Sequence, residues 1–182
     1  MSIFADAAGE IAAVCDAVDD AQIETVCARL AGARHIMAYG CGREALQLRG
    51  FVMRLHHLGR SVSMQGDMAA PPLGPSDVFL ASAGPGDLST VTALMQTARA
   101  AGAHVILLTG EPDAGPCKLA HDLLVIPAQT MARDQSAPTS ILPMGSVFEG
   151  AMFLLFEIMV LRLRDRLGQT PDAMRARHTN ME

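Results

Sequence analysis

The chain has 182 residues, half of them apolar and 18% charged, with a net charge of −5. One domain of that size buries roughly 70% of its unfolded surface, so the composition excludes a disordered chain. The acidic balance, with no basic patch, argues against a nucleic-acid partner but does not bar a small anionic ligand held by a few local donors.

In chain order, Ile3, Ile11, Val14, Val18, Ile23, Val26 and Leu30 recur at roughly helical spacing and predict one or two helices ending near Gly32. Acidic residues within 1–10 and the lack of a basic, apolar leader predict no signal peptide. Residues 35–39 read as a short apolar strand and 44–58 as a helix closed by Gly59. Residues 61–64 read as a second strand. After the Pro71-Pro72 and Gly74-Pro75 turns, 78–81 reads as a buried strand and 88–101 as a helix ended by Gly102. Residues 104–109 are the most strand-like run. A short helix at 117–120 leads to a last strand at 123–126. The stretch 127–143 is a long loop without periodicity, and loops of that length in compact domains are often functional. The apolar run 147–163 contains Glu149, Glu157 and Arg162, so it reads as a buried helix (146–167) and not as a membrane span. Thr170-Pro171 opens a final helix.

Short apolar strands alternating with helices predict an α/β fold with a five-stranded parallel sheet covered on both faces. In such a sheet ligands bind beyond the carboxyl ends of the strands. Two strand-to-helix turns there are glycine-rich, Tyr39-Gly40-Cys41-Gly42-Arg43-Glu44 and Ser82-Ala83-Gly84-Pro85-Gly86-Asp87-Leu88-Ser89-Thr90. Converging backbone N–H groups in such turns attract anions; the plain alternative is that the glycines only make tight turns. Ala45 stands where a dinucleotide fingerprint needs its third glycine. Cys15, Cys27, Cys41 and Cys117 form no CxxC pair and read as reduced thiols of a cytoplasmic protein. The histidines have no carboxylate or cysteine at ligand spacing, so no metal site is predicted, and no motif calls for a cofactor.

Gly40-x-Gly42-Arg43, Met53-Arg54-Leu55-x-His57-Leu58-Gly59, Gly66-Asp67, Pro143-x-Gly145-Ser146-x-Phe148-Glu149 and the tail Arg177-His178-x-Asn180-x-Glu182 together resemble the sugar isomerase (SIS) domain family, and within it the 6-phospho-3-hexuloisomerases. The resemblance implies a three-layer, flavodoxin-like sandwich over residues 1–182. Residues 1–32 would form an N-terminal helical segment and 144–182 the C-terminal helices. It further implies aldose–ketose or 3-ketose/2-ketose phosphate interconversion through an enediol. Active sites would be shared between subunits of a homo-oligomer, a dimer of dimers. The alternatives are a non-catalytic sugar-phosphate-binding module and an isomerase of an unphosphorylated sugar.

By that resemblance Glu149 is the base, although Ser146-Val147-Phe148-Glu149 also spells a capping box. His178 is the second catalytic candidate, a ring opener or proton shuttle. Its plain alternative is an exposed histidine near a helix C-terminus. The substrate-binding candidates are Gly42, Arg43, Glu44, Ser82, Ala83, Gly84, Gly86, Asp87, Ser89 and Thr90. The family usually places serine at the position of Glu44 and threonine at that of Asp87. Here two carboxylates stand at the helix starts that receive phosphate. Either they cap those helices, with Ser89 and Thr90 supplying replacement hydroxyls, or they face the crevice and oppose phosphate.

Overall fold

Short polar side chains start the first two helices. Ser2 accepts the Ala5 N–H to head α1 (Ile3–Asp16), and Asp19 accepts the Ala21 N–H to head α2 (Asp20–Gly32). These coordinates are a computed structural model describing residues 2–136 and 138–181; Glu182 of the tail motif lies outside the described residues.

The five apolar runs become β1 (Ile36–Tyr39), β2 (Val62–Met64), β3 (Val78–Ser82), β4 (His104–Thr109) and β5 (Asp122–Val125). All neighbours pair in parallel, in the order β2-β1-β3-β4-β5. The two-residue period of the strands divides the core. Val78, Leu80, Ile106 and Leu108 face one apolar layer, while Phe79, Ala81, Val105 and Leu107 face the other. β3 and β4 are buried on both faces, which is why they read as unbroken apolar runs.

Between the strands run α3 (Gly42–His57), α4 (Ser89–Ala100) and a 3-10 turn at Gly115–Leu119. After the long loop come α5 (Ser146–Arg166) and the short α6 (Pro171–Arg175), capped by Thr170. α3 starts two residues earlier than the apolar periodicity implies, because Gly42 adopts φ +56 and turns the chain straight from β1 into the helix.

α5 holds the larger layer together. Val147, Phe148, Ala151, Met152, Leu155, Phe156, Met159, Val160 and Leu163 are buried along it, and it packs on α1, α2 and α3. Phe51 of α3 stacks on Phe156 with ring centroids 4.3 Å apart, fixing α3 beside α5. Connections leave β1 for β2 on one side and enter β3 on the other. The topological switch point therefore lies between β1 and β3, where both glycine-rich turns emerge.

Candidate active site

A cavity of about 370 Å³ opens at that switch point. Three helices begin on it: α3 at Cys41–Gly42, α4 behind Pro85 and Leu88, and α5 at Gly145–Ser146. Among the described residues α1, α2 and α6 carry side-chain caps, whereas α3, α4 and α5 have none. α3 and α5, whose first turns line the cavity, therefore leave their first amides to a ligand or solvent, and their dipoles favour an anion there.

Glu149 stands on the first turn of α5 with its side chain 15% exposed. Its carboxylate meets the Arg43 guanidinium at 2.7 Å, and Arg43 also donates to Ser146 Oγ at 3.1 Å. The capping box is not formed. Gly145 is the N-cap and Ser146 the first helical residue, so Glu149 turns to the cavity wall and to Arg43 instead. Burial pushes its carboxyl above the usual carboxylate range, and the charge and hydrogen bond of Arg43 oppose that shift.

Glu44, on the first turn of α3, is not a cap and lies on the cavity side of its helix. The side chain crosses under the second glycine-rich turn, where Ser82 Oγ donates to its Oε2 and the Gly84 N–H donates to both carboxylate oxygens at 3.0 Å. The residue is buried, and desolvation raises its carboxyl pKa; the nearby Glu149 charge adds to this, against the hydrogen bonds of Ser82 and Gly84. A side chain at Gly84 would displace this carboxylate. A Cβ would sit 2.9 Å from Glu44 Oε1 and 3.1 Å from the Phe148 ring.

The remaining candidates separate by geometry. Gly42, Arg43, Glu44, Gly84 and Glu149 line the cavity. Ser82 lies buried beneath Glu44, and Ala83 belongs to the second apolar layer. Asp87, Ser89 and Thr90 are exposed and lie outside the lining of this cavity. Before them Gly86, at φ +85, is wedged against Glu111 and Ala114, where a Cβ would meet theirs at 2.8 and 2.6 Å. Asp87 instead accepts from Thr92 Oγ1 at 3.3 Å.

His178 does not join Glu149 within one chain. It packs 5.3 Å from the His57 ring at the far end of α3, which rises about 22 Å from Gly42 to His57 at roughly 1.5 Å per residue. A second cavity, lined by Arg54, His57, Arg164, Arg175 and His178, lies there. Two other histidines are tied to the sheet at strand starts: His35 bridges Ser61 and Ser63, and His104 meets Asp122 at 2.6 Å. Asp122 is thus brought beside His104 by β4–β5 pairing, a proximity that sequence spacing does not show.

The fourth wall comes from the long loop. Thr130, Met131, Pro143 and Met144 line the cavity, with Met144 at φ 56 just before α5. Thr130 and Arg133 both donate to Glu111 Oε1, at 3.1 and 2.7 Å, which pins this loop to the end of β4. Length and lack of periodicity mark the loop in the sequence; nothing there singles out Thr130 or Met131.

No family model matches the chain. A 3-hexulose-6-phosphate isomerase of Mycobacterium gastri is 31% identical over 173 residues, covering 95% of this chain and 86% of that one. A second, from Methylomonas aminofaciens, is 34% identical over 143 residues, covering 79% of this chain and 78% of that one. The chain belongs to this family of sugar-phosphate isomerases. The fold agrees: a crystal structure of a hypothetical protein from Methanococcus jannaschii, from which a molecular function of 3-hexulose-6-phosphate isomerase was inferred, matches with a TM-score of 0.85. It is 20% identical, and the match covers 98% of each chain. The family membership therefore bears out the SIS-type resemblance carried by the Gly-x-Gly-Arg and Pro-x-Gly-Ser motifs.

Proposed function

We propose that this chain moves a carbonyl between adjacent carbons of a six-carbon ketose phosphate, converting a 3-ketose to a 2-ketose, with Glu149 as the base. The observation that carries the reading is the Glu149 carboxylate, half-buried on the cavity wall, held by Arg43, beside three uncapped helix starts. Glu149 takes the proton from C2, and that electron pair forms the C2=C3 bond of an enediolate. A proton moves from O2 to O3, and Glu149 returns its proton to C3. The carbonyl then stands at C2, and no oxidant or reductant is consumed. Helix-start amides and Arg43 stabilise the developing oxyanion.

Arg43→Gln tests the base directly. A general base works only when ionised, so kcat/KM is present above its pKa and lost as pH falls through it. Arg43 holds the Glu149 pKa down against burial. Removing it should move the acidic limb of the pH–rate profile to higher pH, whatever happens to the plateau. An unmoved limb would assign that limb to another group.

His178 enters this reading only through assembly. α5 leaves Phe153, Leu154, Ile158 and Leu161 exposed, and α3 adds Leu46 and Met53. That apolar surface supports a homo-oligomer, a dimer of dimers, in which His178 of one protomer completes the cavity of another. Light scattering should give a mass above that of one chain, and Leu161→Glu should lower it. Glu149→Gln and His178→Ala proteins, co-refolded, should then regain turnover that neither shows alone. No regain from mixed oligomers would place His178 outside the chemistry. Free cysteines support a cytoplasmic setting. Among the described residues no helix is long and apolar enough to cross a membrane.

A further inference from the structure

The one acid that the proposed chemistry leaves unused is the most deeply placed in the site. Glu44 takes the Gly84 amide with both carboxylate oxygens, and Gly84 belongs to the turn that leads into the uncapped α4. An N–H in such a turn is a natural donor to a ligand anion. In this chain it is already committed to an anion of the protein's own.

We infer that Glu44 is a built-in anion competing with the ligand's phosphate at the Gly84 turn, so that phosphate binding in this cavity takes up a proton at Glu44. The inference rests on the sugar-phosphate reading of the site and adds to it what controls the phosphate.

The groups around Glu44 support the competition. On its own helix Arg43 is the neighbouring cation, but it is engaged by Glu149. β3 contributes the neutral hydroxyl of Ser82, and the turn contributes the Gly84 amide. α5 contributes Glu149, whose charge disfavours ionised Glu44, along with Phe148 and the Met152 sulfur, which contacts Ser82 Oγ at 3.8 Å. At the end of β4, Glu111 is held by Thr130 and paired with Arg133 of the long loop. A phosphate dianion entering this cavity with both acids ionised meets two like charges against one guanidinium. In a partly desolvated site that arrangement opposes binding. Protonation changes the sign of the encounter: a carboxylate only accepts, whereas a carboxyl group has one O–H to donate to a phosphate oxygen.

The test measures binding of inorganic phosphate and of fructose 6-phosphate by calorimetry, on the assembled protein, from about pH 6 to about pH 8.5. Wild type is compared with Glu44→Gln and Glu44→Ser. The ligand's own phosphate also ionises in this range, at about pH 6 for a phosphate monoester, but this is common to all three proteins, so the comparison of variant with wild-type affinity reports on Glu44. At the alkaline end Glu44→Gln should bind both ligands at least about tenfold tighter than wild type, and the ratio should shrink steadily as pH falls. Glu44→Ser should follow the same trend, which keeps the test decisive should the Gln variant fold poorly. A ratio that is flat with pH, or variants that bind phosphate no tighter, would overturn the inference. Turnover is read separately. Wild type that turns over no ketose phosphate sinks the isomerase reading while a pH-dependent ratio still stands. Normal turnover with a flat ratio sinks only the role given to Glu44.

Discussion

Glu149→Gln should lower turnover by about 10²–10⁴-fold, the range expected when a positioned general base is removed. The amide is close in shape to the carboxylate and can still accept from Arg43, so the cavity should keep its form and bind ligand. No capping role competes for the effect, because α5 starts at Gly145–Ser146 without a side-chain cap. Melting temperature should therefore stay close to that of wild type. Steady-state kinetics beside a thermal melt checks this. Retained turnover with a lowered melting point would return Glu149 to a structural role.

The second large effect concerns what holds Arg43 and Glu149 together. They sit on separate helices, and Phe51 stacked on Phe156 packs those helices behind them. Phe51 is 1% exposed, and Phe→Ala at such a site costs about 3–5 kcal/mol through lost burial and the cavity left behind. For a chain of this size that corresponds to a melting point roughly 6–20 °C lower. Chemical denaturation should show a lower midpoint with an unchanged slope. A loss below about 1 kcal/mol would mean that α3 and α5 are fixed by other contacts.

The sheet was legible because β3 and β4 are buried on both faces and leave unbroken apolar runs. The strand order was not, since the pairing of β1 with both β2 and β3 is written in no local pattern. The two glycine-rich turns and Glu149 could be found from motif and position. Their partners were less visible. A glutamate three residues into a helix reads as a cap or a surface charge, and only the closeness of the β3–α4 turn takes Glu44 inward to Gly84. Asp87 is the reverse case: it sits beside the site in sequence, yet it is exposed and outside the cavity lining. His178 carries a recognisable tail motif, but the length of α3 separates it from Glu149, a distance that sequence cannot supply.

Proton exchange at the sugar carbons reports on the transfer assigned to Glu149. Fructose 6-phosphate is incubated with the assembled protein in deuterated water and followed by proton NMR. In the reverse reaction Glu149 removes the C3 proton of the 2-ketose, so the C3–H signal should fade with wild type and persist with Glu149→Gln. Loss of a C1 proton instead would mark an aldose–ketose isomerase. No exchange and no conversion by wild type, or equal C3 exchange by Glu149→Gln, would contradict the account.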